Sequence, residues 1–177
     1  MTIRLKVLCE DARTRVFLNR LLPRLGFDLR PHGIMAAPRG QGSAEQWIRA
    51  QYAEAVAWRR TKRRDERVGL LVVVDSDDVG PNGRRQQLAA ALEGAHPVDQ
   101  TERIGVVVPT RNIEAWLMWL LQGTSDEVQD LKPAFERVYT ANEAVACVRA
   151  SEAWPGSGNT PLSVADADQV LQRLLAS

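Results

Sequence analysis

The apolar run 68-VGLLVVVD-75 is the clearest strand in the sequence, and it belongs to an alternating series of strands and helices. Because crossover helices join successive strands, this order predicts an α/β fold with a mainly parallel, four-stranded sheet and helices on both faces. The predicted strands span 3–9, 27–35, 68–75 and 103–108, and the predicted helices span 12–25, 43–64, 84–93 and 113–121.

The chain has the size of one domain and the composition of a globular protein. It contains 177 residues, of which 45% are hydrophobic and 25% are charged. We expect residues 1–121 to form the α/β core and residues 122–177 to form a helical extension packed on it. No apolar run reaches the roughly 18 residues that a membrane span needs, so we expect no membrane partner. Cys9 and Cys147 lie in apolar segments, which favours buried thiols in a reducing cytoplasm.

Acidic residues follow the first and third predicted strands, at the sheet edge where parallel α/β folds bind ligands. Glu10 and Asp11 follow the first strand, and Asp75, Asp77 and Asp78 follow the third. Alternation along a strand would point Asp75 and Asp77 the same way, and Mg²⁺ would relieve the repulsion between them. Aspartates after a strand also cap turns, and acids at 10 and 11 suit a helix start, so a structural role stays open.

A further acid lies in the segment 108-VPTRNIEAWL-117. Glu114 falls in the first turn of a predicted helix, where the helix dipole favours a carboxylate for structural reasons alone. Its position would nevertheless bring it to the same edge as the other acids, where two groups of carboxylates could hold one or two metal ions. The neighbouring Arg111 could bind a phosphate group through paired hydrogen bonds, or it could pair with Glu114.

A basic run stands at the end of the second predicted helix, although the formal net charge of the chain is only +1. Such runs are most often solvated helix ends, and they can also contact the phosphates of nucleic acids. The candidate nucleic-acid contacts are Arg59, Arg60, Lys62, Arg63 and Arg64.

The order of these motifs resembles a known family. A strand ending in glutamate, 5-LKVLCEDARTRVFLNRLL-22, followed by an apolar strand ending in Asp-x-Asp, 70-LLVVVDSDD-78, is similar to the Toprim fold of topoisomerases, bacterial primases, small ribonucleases and OLD-type nucleases. The resemblance covers about residues 1–121. It implies a Rossmann-like core, catalysis with Mg²⁺, for which Mn²⁺ substitutes, and hydrolysis of nucleic acid.

The resemblance also implies roles for single residues. Glu10 looks like the family glutamate, a general acid/base or metal-linked group, and Asp75 and Asp77 look like the magnesium-binding pair. Glu114 looks like the additional acid of OLD-type nucleases, which use two metals. Asp11 stands where family members often have glycine, and it could ligate the metal or crowd it. Asp78 and Asp11 are reserve metal ligands.

The chain departs from OLD-type nucleases in lacking an ATPase motif. Its glycine loop, 39-RGQGSAEQW-47, does not end in the Gly-Lys-Ser/Thr of a nucleotide-binding loop, although its backbone could still bind a phosphate. By analogy, a stand-alone Toprim protein of this size could work with a separate ATPase subunit in an antiphage defence system.

Three functional hypotheses are therefore compatible with the sequence. The first is a Mg²⁺-dependent nuclease acting on DNA or RNA with water as the nucleophile, alone or as a homo-oligomer. The second is a non-catalytic binding or effector subunit, in which an exposed tryptophan among the five could anchor a partner. The third is a small-molecule phosphohydrolase or phosphotransferase that uses the same acids.

Overall fold

A computed structural model describes residues 2–38, 40, 43–123, 126–156 and 158–176, and these residues form five strands and seven α-helices. None of the helices in these ranges combines the length and apolar character needed to cross a membrane. The strands are β1 (Ile3–Cys9), β2 (Phe27–Asp28), β3 (Ile34–Ala36), β4 (Val68–Val73) and β5 (Ile104–Val107). The helices are α1 (Ala12–Arg24), α2 (Ala44–Thr61), α3 (Gly80–Ala90), α4 (Ile113–Gln122), α5 (Lys132–Tyr139), α6 (Glu143–Ala153) and α7 (Leu162–Ala176).

All strand pairings are parallel, and the sheet has the order β2-β1-β4-β5, with β3 also paired to β1. The predicted single strand 27–35 is therefore two short strands, which pair with opposite ends of β1 and share one place in the sheet. Pro31 lacks a ladder donor and Gly33 has a φ of +71°, so the segment between the two strands turns instead of continuing. The predicted four strands are corrected to five, and the predicted parallel α/β fold is confirmed.

Helices cover both faces of the sheet. One face, which includes Leu5 and Leu71, packs in a buried cluster with α1, α4, α6 and α7. The other face, which includes Leu70 and Val72, packs against α2 and α3. Consecutive residues of β4 thus face opposite hydrophobic layers, which is why every residue of this strand is apolar or glycine and buried.

Side-chain caps mark the starts of two helices, α1 and α2. The side chain of Asp11 accepts a hydrogen bond from the Thr14 amide and caps α1, and that of Ser43 accepts one from the Gln46 amide and caps α2. The start of α3 differs from the expected position, because Gly80 to Gly83 already belong to the helix. Proline is favoured at the first helical positions, where its missing N–H leaves no hydrogen bond unmade.

The C-terminal helices pack on the sheet and on α1 and α4. Helix α6 contacts α1 and α4, and α7 contacts β5. Trp116 of α4 is 2% exposed and donates an indole hydrogen bond of 2.7 Å to the Ser163 hydroxyl of α7. Truncating such a side chain costs about 3–5 kcal/mol, so this contact is a major link between the two parts of the chain. All five tryptophans are buried or half-buried, which removes the expected exposed anchor.

Strand β5 is an edge of the sheet, and a side chain covers part of it. Arg173 of α7 donates hydrogen bonds to the carbonyl oxygens of Gln100, Glu102 and Ile104, at 2.7, 2.9 and 2.7 Å. Backbone carbonyls on this outer side are therefore satisfied by a guanidinium group in place of a neighbouring strand.

Candidate metal centre

A cavity of about 360 Å³ lies at the carboxyl ends of β1, β4 and β5 and is lined mainly by acids. We call it the acid cavity. The three loops that follow these strands supply most of its walls, as expected for the ligand-binding edge of a parallel sheet. Its lining residues are Glu10, Asp11, Ala44, Asp75, Asp77, Asp78, Arg111, Asn112, Glu114, Asp130 and Lys132.

Glu10 and Asp75 face the acid cavity, and within the described residues neither forms an ion pair with a cationic side chain. One carboxylate oxygen of Glu10 is buried and has no hydrogen-bond partner. Burial, and next the charge of Asp77, raise the pKa of Glu10 to about 7. Burial, followed by the charges of Glu10 and Glu114, raises the pKa of Asp75 well above its ordinary range. These two side chains therefore lie in a field that disfavours their own ionisation.

Asp77 lies beside the same cavity but is held by an arginine. Strand β4 ends at Val73, so the expected strand alternation does not reach Asp77, which begins a short 3₁₀ turn with a φ of +46°. Its carboxylate accepts a hydrogen bond of 2.9 Å from Arg84, and Arg84 also donates to the Asp75 carbonyl at 2.8 Å. Arg84 thus fixes the loop that carries both aspartates.

Asp78 and Arg111 form an ion pair across the mouth of the acid cavity. The Arg111 amide donates a hydrogen bond of 2.8 Å to the hydroxyl of the fully buried Ser76. Arg111 therefore pairs with Asp78, and not with Glu114 as one of the alternatives had it. Its guanidinium remains at the cavity wall, within reach of any anion that entered.

Glu114 is buried in the first turn of α4, as expected, and is neutralised by Arg13 of α1. Burial raises the pKa of Glu114, and the hydrogen bonds and charge of Arg13 oppose that rise. Arg13 also contacts Glu143 of α6 at 2.9 Å and Glu136 of α5 at 3.3 Å. One guanidinium thus links the candidate acid to two helices of the C-terminal extension.

Several residues of this site had no local signal in the sequence. Arg84 and Arg13 lie on ordinary amphipathic helices, and only the tertiary structure shows the carboxylates that they bind. Asp130 comes from the loop before α5, Lys132 is the first residue of α5, and both reach the cavity from the C-terminal extension. Asn112 stands at the N-cap position of α4, but its amide donates to Asp130 at 2.6 Å and does not cap the helix.

The carboxylate oxygens of the acid cavity are suitable ligands for a hard divalent cation. They are not, however, arranged around a single point. Carboxylate oxygens are the ligands that Mg²⁺ prefers, and the buried, unpartnered oxygen of Glu10 is free to coordinate. Within the described part of the chain, no three His, Cys, Asp or Glu side chains are arranged so that they could hold one metal ion. The residues are chemically suited to a metal ion. To gain further ligands, the ion would have to displace the arginines with which the other carboxylates are paired.

The structure does not bring the basic run together with the acids. Arg59, Arg60 and Arg63 precede the amino end of β4, whereas the acid cavity lies beyond its carboxyl end. The six residues of β4 separate the two by roughly 20 Å. Lys62 and Arg64 are exposed at the same end as the other basic residues. The loop 39–47, whose backbone could bind a phosphate, includes Arg39, Gln41 and Gly42, which lie outside the described residues.

Comparison with known proteins gives one distant structural neighbour. No family model matches the chain, and no curated protein matches it. A solved structure of the C-terminal region of the OLD protein from Xanthomonas campestris pv. campestris aligns with 98% of this chain and 96% of its own, with 12% sequence identity and a TM-score of 0.43. A likeness this distant assigns neither a family nor a function to the chain.

Proposed function

We propose that this protein is a divalent-metal-dependent nuclease that hydrolyses phosphodiester bonds in DNA or RNA. The observation that carries the proposal is the pair Glu10 and Asp75, which follow neighbouring strands, face one cavity and form no ion pair in the part of the chain that the structure describes. Two such carboxylates are unfavourable for the chain by itself, and a divalent cation is the group that would relieve them. The Toprim-like order of the glutamate and the Asp-x-Asp motif supports the same chemistry.

The metal would be Mg²⁺, with Mn²⁺ able to replace it. Bound there, the ion would polarise the phosphodiester and lower the pKa of a water molecule, which would then act as the nucleophile. Among the described residues that line the acid cavity there is no serine, cysteine or tyrosine to attack instead. The residues that would hold the ion are Glu10, Asp75, Asp77 and Glu114, with Asp11 and Asp78 in reserve.

The chain itself contributes a proton acceptor and two cations. In the metal-free protein, burial and the neighbouring acids raise the pKa of Glu10 to about 7. Glu10 would serve as the general acid or base if the other carboxylates held the ion. Arg111 and Lys132 line the cavity and can bind the non-bridging oxygens of a phosphate. Binding there would place the scissile bond beside Glu10 and Asp75.

Metal binding and cleavage can be tested together. We expect Mn²⁺ to bind the wild-type protein in a calorimetric titration and Mg²⁺ to support nicking of a plasmid or cleavage of RNA. Asp75→Asn and Glu10→Gln should each lower both the metal affinity and the cleavage rate by about a hundredfold or more. Glu54→Gln, which changes an exposed acid on α2, is the matched control and should leave both unchanged. Equal metal-dependent activity in all four proteins would contradict the assignment.

A second candidate is a non-catalytic effector or binding subunit, and one observation favours it. Asp77, Asp78 and Glu114 are each already paired with an arginine, which is an arrangement that a purely structural cluster would also show. In this case the protein would act in a complex, for example with a separate ATPase subunit in the cytoplasm as part of an antiphage system. Light scattering after size exclusion, followed by a pull-down of proteins encoded in the same operon, tests it. A monomer that cleaves nucleic acid unaided would argue against it.

A further inference from the structure

We propose that a second site, at the opposite end of the sheet from the acid cavity, binds a phosphate group carried by a small molecule. It lies where α2 ends and where β4 and β5 begin, in a cavity of about 720 Å³ that we call the arginine pocket. The lining residues of the arginine pocket are Arg59, Arg60, Arg63, Glu66, His96, Pro97, Asp99, Thr101, Glu102 and Arg103.

The central observation is Arg59, a buried cation without a partner. Its exposed fraction is 7%, and its Nε is buried without a hydrogen-bond acceptor. Its side chain forms no ion pair or hydrogen bond with any other described residue. Burial and then the charge of Arg103, which is 3% exposed, lower the pKa of Arg59, and the charges of Glu102 and Asp65 only partly oppose this shift. The Nε of Arg59 is costly for folding, because it has lost water and gained no acceptor among the described residues.

Within the described residues, the acids that line the arginine pocket form neither an ion pair nor a hydrogen bond with Arg59. Glu102 is taken by Arg60, whose Nε and Nη2 each lie 2.8 Å from a carboxylate oxygen. Asp99 accepts a hydrogen bond of 2.7 Å from the Thr101 amide and is exposed. Glu66 is exposed and forms no ion pair within the described residues. Among the residues that the structure describes, therefore, none accepts a hydrogen bond from Arg59.

The remaining cations define the kind of ligand that fits. Arg63 lies in the turn just after α2, lines the same pocket and is exposed, so a ligand entering from solvent would meet it before reaching Arg59. Paired guanidinium groups match the oxygens of a phosphate through charge-assisted hydrogen bonds.

The burial of Arg59 distinguishes this site from a surface that binds nucleic acid. Lys62 and Arg64 are exposed and do not line the arginine pocket, so a polyanion lying on the surface would contact them and leave Arg59 unreached. A terminal phosphate on a small molecule can enter a cavity of this size. The ligand is therefore inorganic phosphate or a phosphate monoester such as a mononucleotide, and the experiment distinguishes these two sources.

Calorimetric titration of the full chain with inorganic phosphate, AMP and adenosine tests the proposal. We expect phosphate or AMP to bind and adenosine not to bind. Stronger binding of AMP would identify a nucleotide as the source, and equal binding would identify free phosphate. Arg59→Gln should weaken binding about tenfold or more, and Arg63→Gln should weaken it less. Arg64→Gln is the matched control on the same helix end and should change the affinity less than about twofold.

A stability measurement separates a ligand-binding role from a structural one. If Arg59 serves a ligand, Arg59→Gln should keep or raise the melting temperature in phosphate-free buffer, because it removes an unpaired buried charge. Failure of phosphate and AMP to bind the wild-type protein would overturn the proposal. Binding that survives Arg59→Gln and Arg63→Gln but is lost in Lys132→Gln would also overturn it, since the ligand would then occupy the acid cavity. Neither result bears on metal-dependent cleavage, which is tested by the Asp75 and Glu10 variants.

Discussion

The amide of Asp77 donates a hydrogen bond of 3.0 Å to the carbonyl of Arg111, and both residues have left-handed backbone, with φ values of +46° and +67°. This bond joins the loop after β4 to the loop after β5. Residues other than glycine rarely adopt this conformation, which costs about 1–2 kcal/mol for each. The acid cavity is therefore built on strained backbone that its neighbours hold in place, as is common at functional sites.

The strain at Arg111 predicts an order of stability for two variants. Arg111→Ala and Arg111→Gly both remove the guanidinium and its ion pair with Asp78. Only glycine adopts a φ of +67° without steric cost, so the glycine variant should be more stable by about 1 kcal/mol in a urea titration. This order is the reverse of that expected for ordinary backbone, where alanine is the more stable residue. An alanine variant of equal or higher stability would show that the backbone strain is absent.

Arg13 should be a major determinant of stability, because it neutralises a buried acid. Its side chain is 11% exposed and that of Glu114 is 2% exposed. Arg13→Met leaves Glu114 buried and unpaired and should lower the free energy of unfolding by about 3–5 kcal/mol. Arg15→Met, at an exposed position on the same helix, is the control and should have little effect.

A double variant tests whether this loss comes from the Arg13–Glu114 pair. Adding Glu114→Gln to Arg13→Met replaces the stranded charge with a neutral side chain, so part of the lost stability should return. If the two changes are simply additive in a denaturant titration, then Arg13 stabilises the protein mainly through its other contacts.

The raised pKa of Glu10 predicts how stability depends on pH in metal-free buffer. Its folded-state pKa of about 7 exceeds the ordinary value of 4.5, so the folded protein holds a proton that the unfolded chain has released between these values. The associated stability is present below about pH 4.5 and is lost as pH rises through about 7. We expect Glu10→Gln to flatten this decline in urea titrations performed across that range. A wild-type curve that rises with pH and does not change in the variant would contradict the proposed environment.

Two glycines in the loop before α7 provide a matched test of packing on α4. Gly156 and Gly158 both have positive φ, at +86° and +89°. A Cβ added at Gly156 would lie 2.0 Å from the Trp119 ring, whereas one at Gly158 would meet nothing within 4 Å. Gly158→Ala should therefore cost about 1–2 kcal/mol for backbone strain alone, and Gly156→Ala should cost clearly more. Equal losses in thermal or urea denaturation would mean that this loop does not pack on Trp119.

The predictable parts of the fold follow short-range rules. Alternation in β1, the apolar run of β4 and the capping serine of α2 each carry their signal within a few neighbouring residues. Glu10, Asp75 and Glu114 could be assigned to one edge because successive parallel strands end on the same side of the sheet. The division of the predicted strand 27–35 into β2 and β3 was harder to predict, because the sequence did not show that both would pair with β1.

The charges that neutralise the site could not be predicted from the sequence. Arg13 and Glu114 are separated by 101 positions, and Arg111 and Asp78 by 33, so no spacing rule relates them. The basic run, a candidate contact for nucleic-acid phosphates because of its charge, lies close in sequence to the acids at 75–78. Strand β4 lies between the two, and it carries the chain from one end of the sheet to the other. Nearness in sequence therefore did not indicate nearness in space.

The guanidinium of Arg173 has a consequence for how copies of the chain could associate. An incoming strand that paired along β5 would have to displace the hydrogen bond to Ile104 and pass the two to Gln100 and Glu102 just before the strand. Arg173 of the last helix thus makes this edge of the sheet a less favourable place for edge-to-edge pairing.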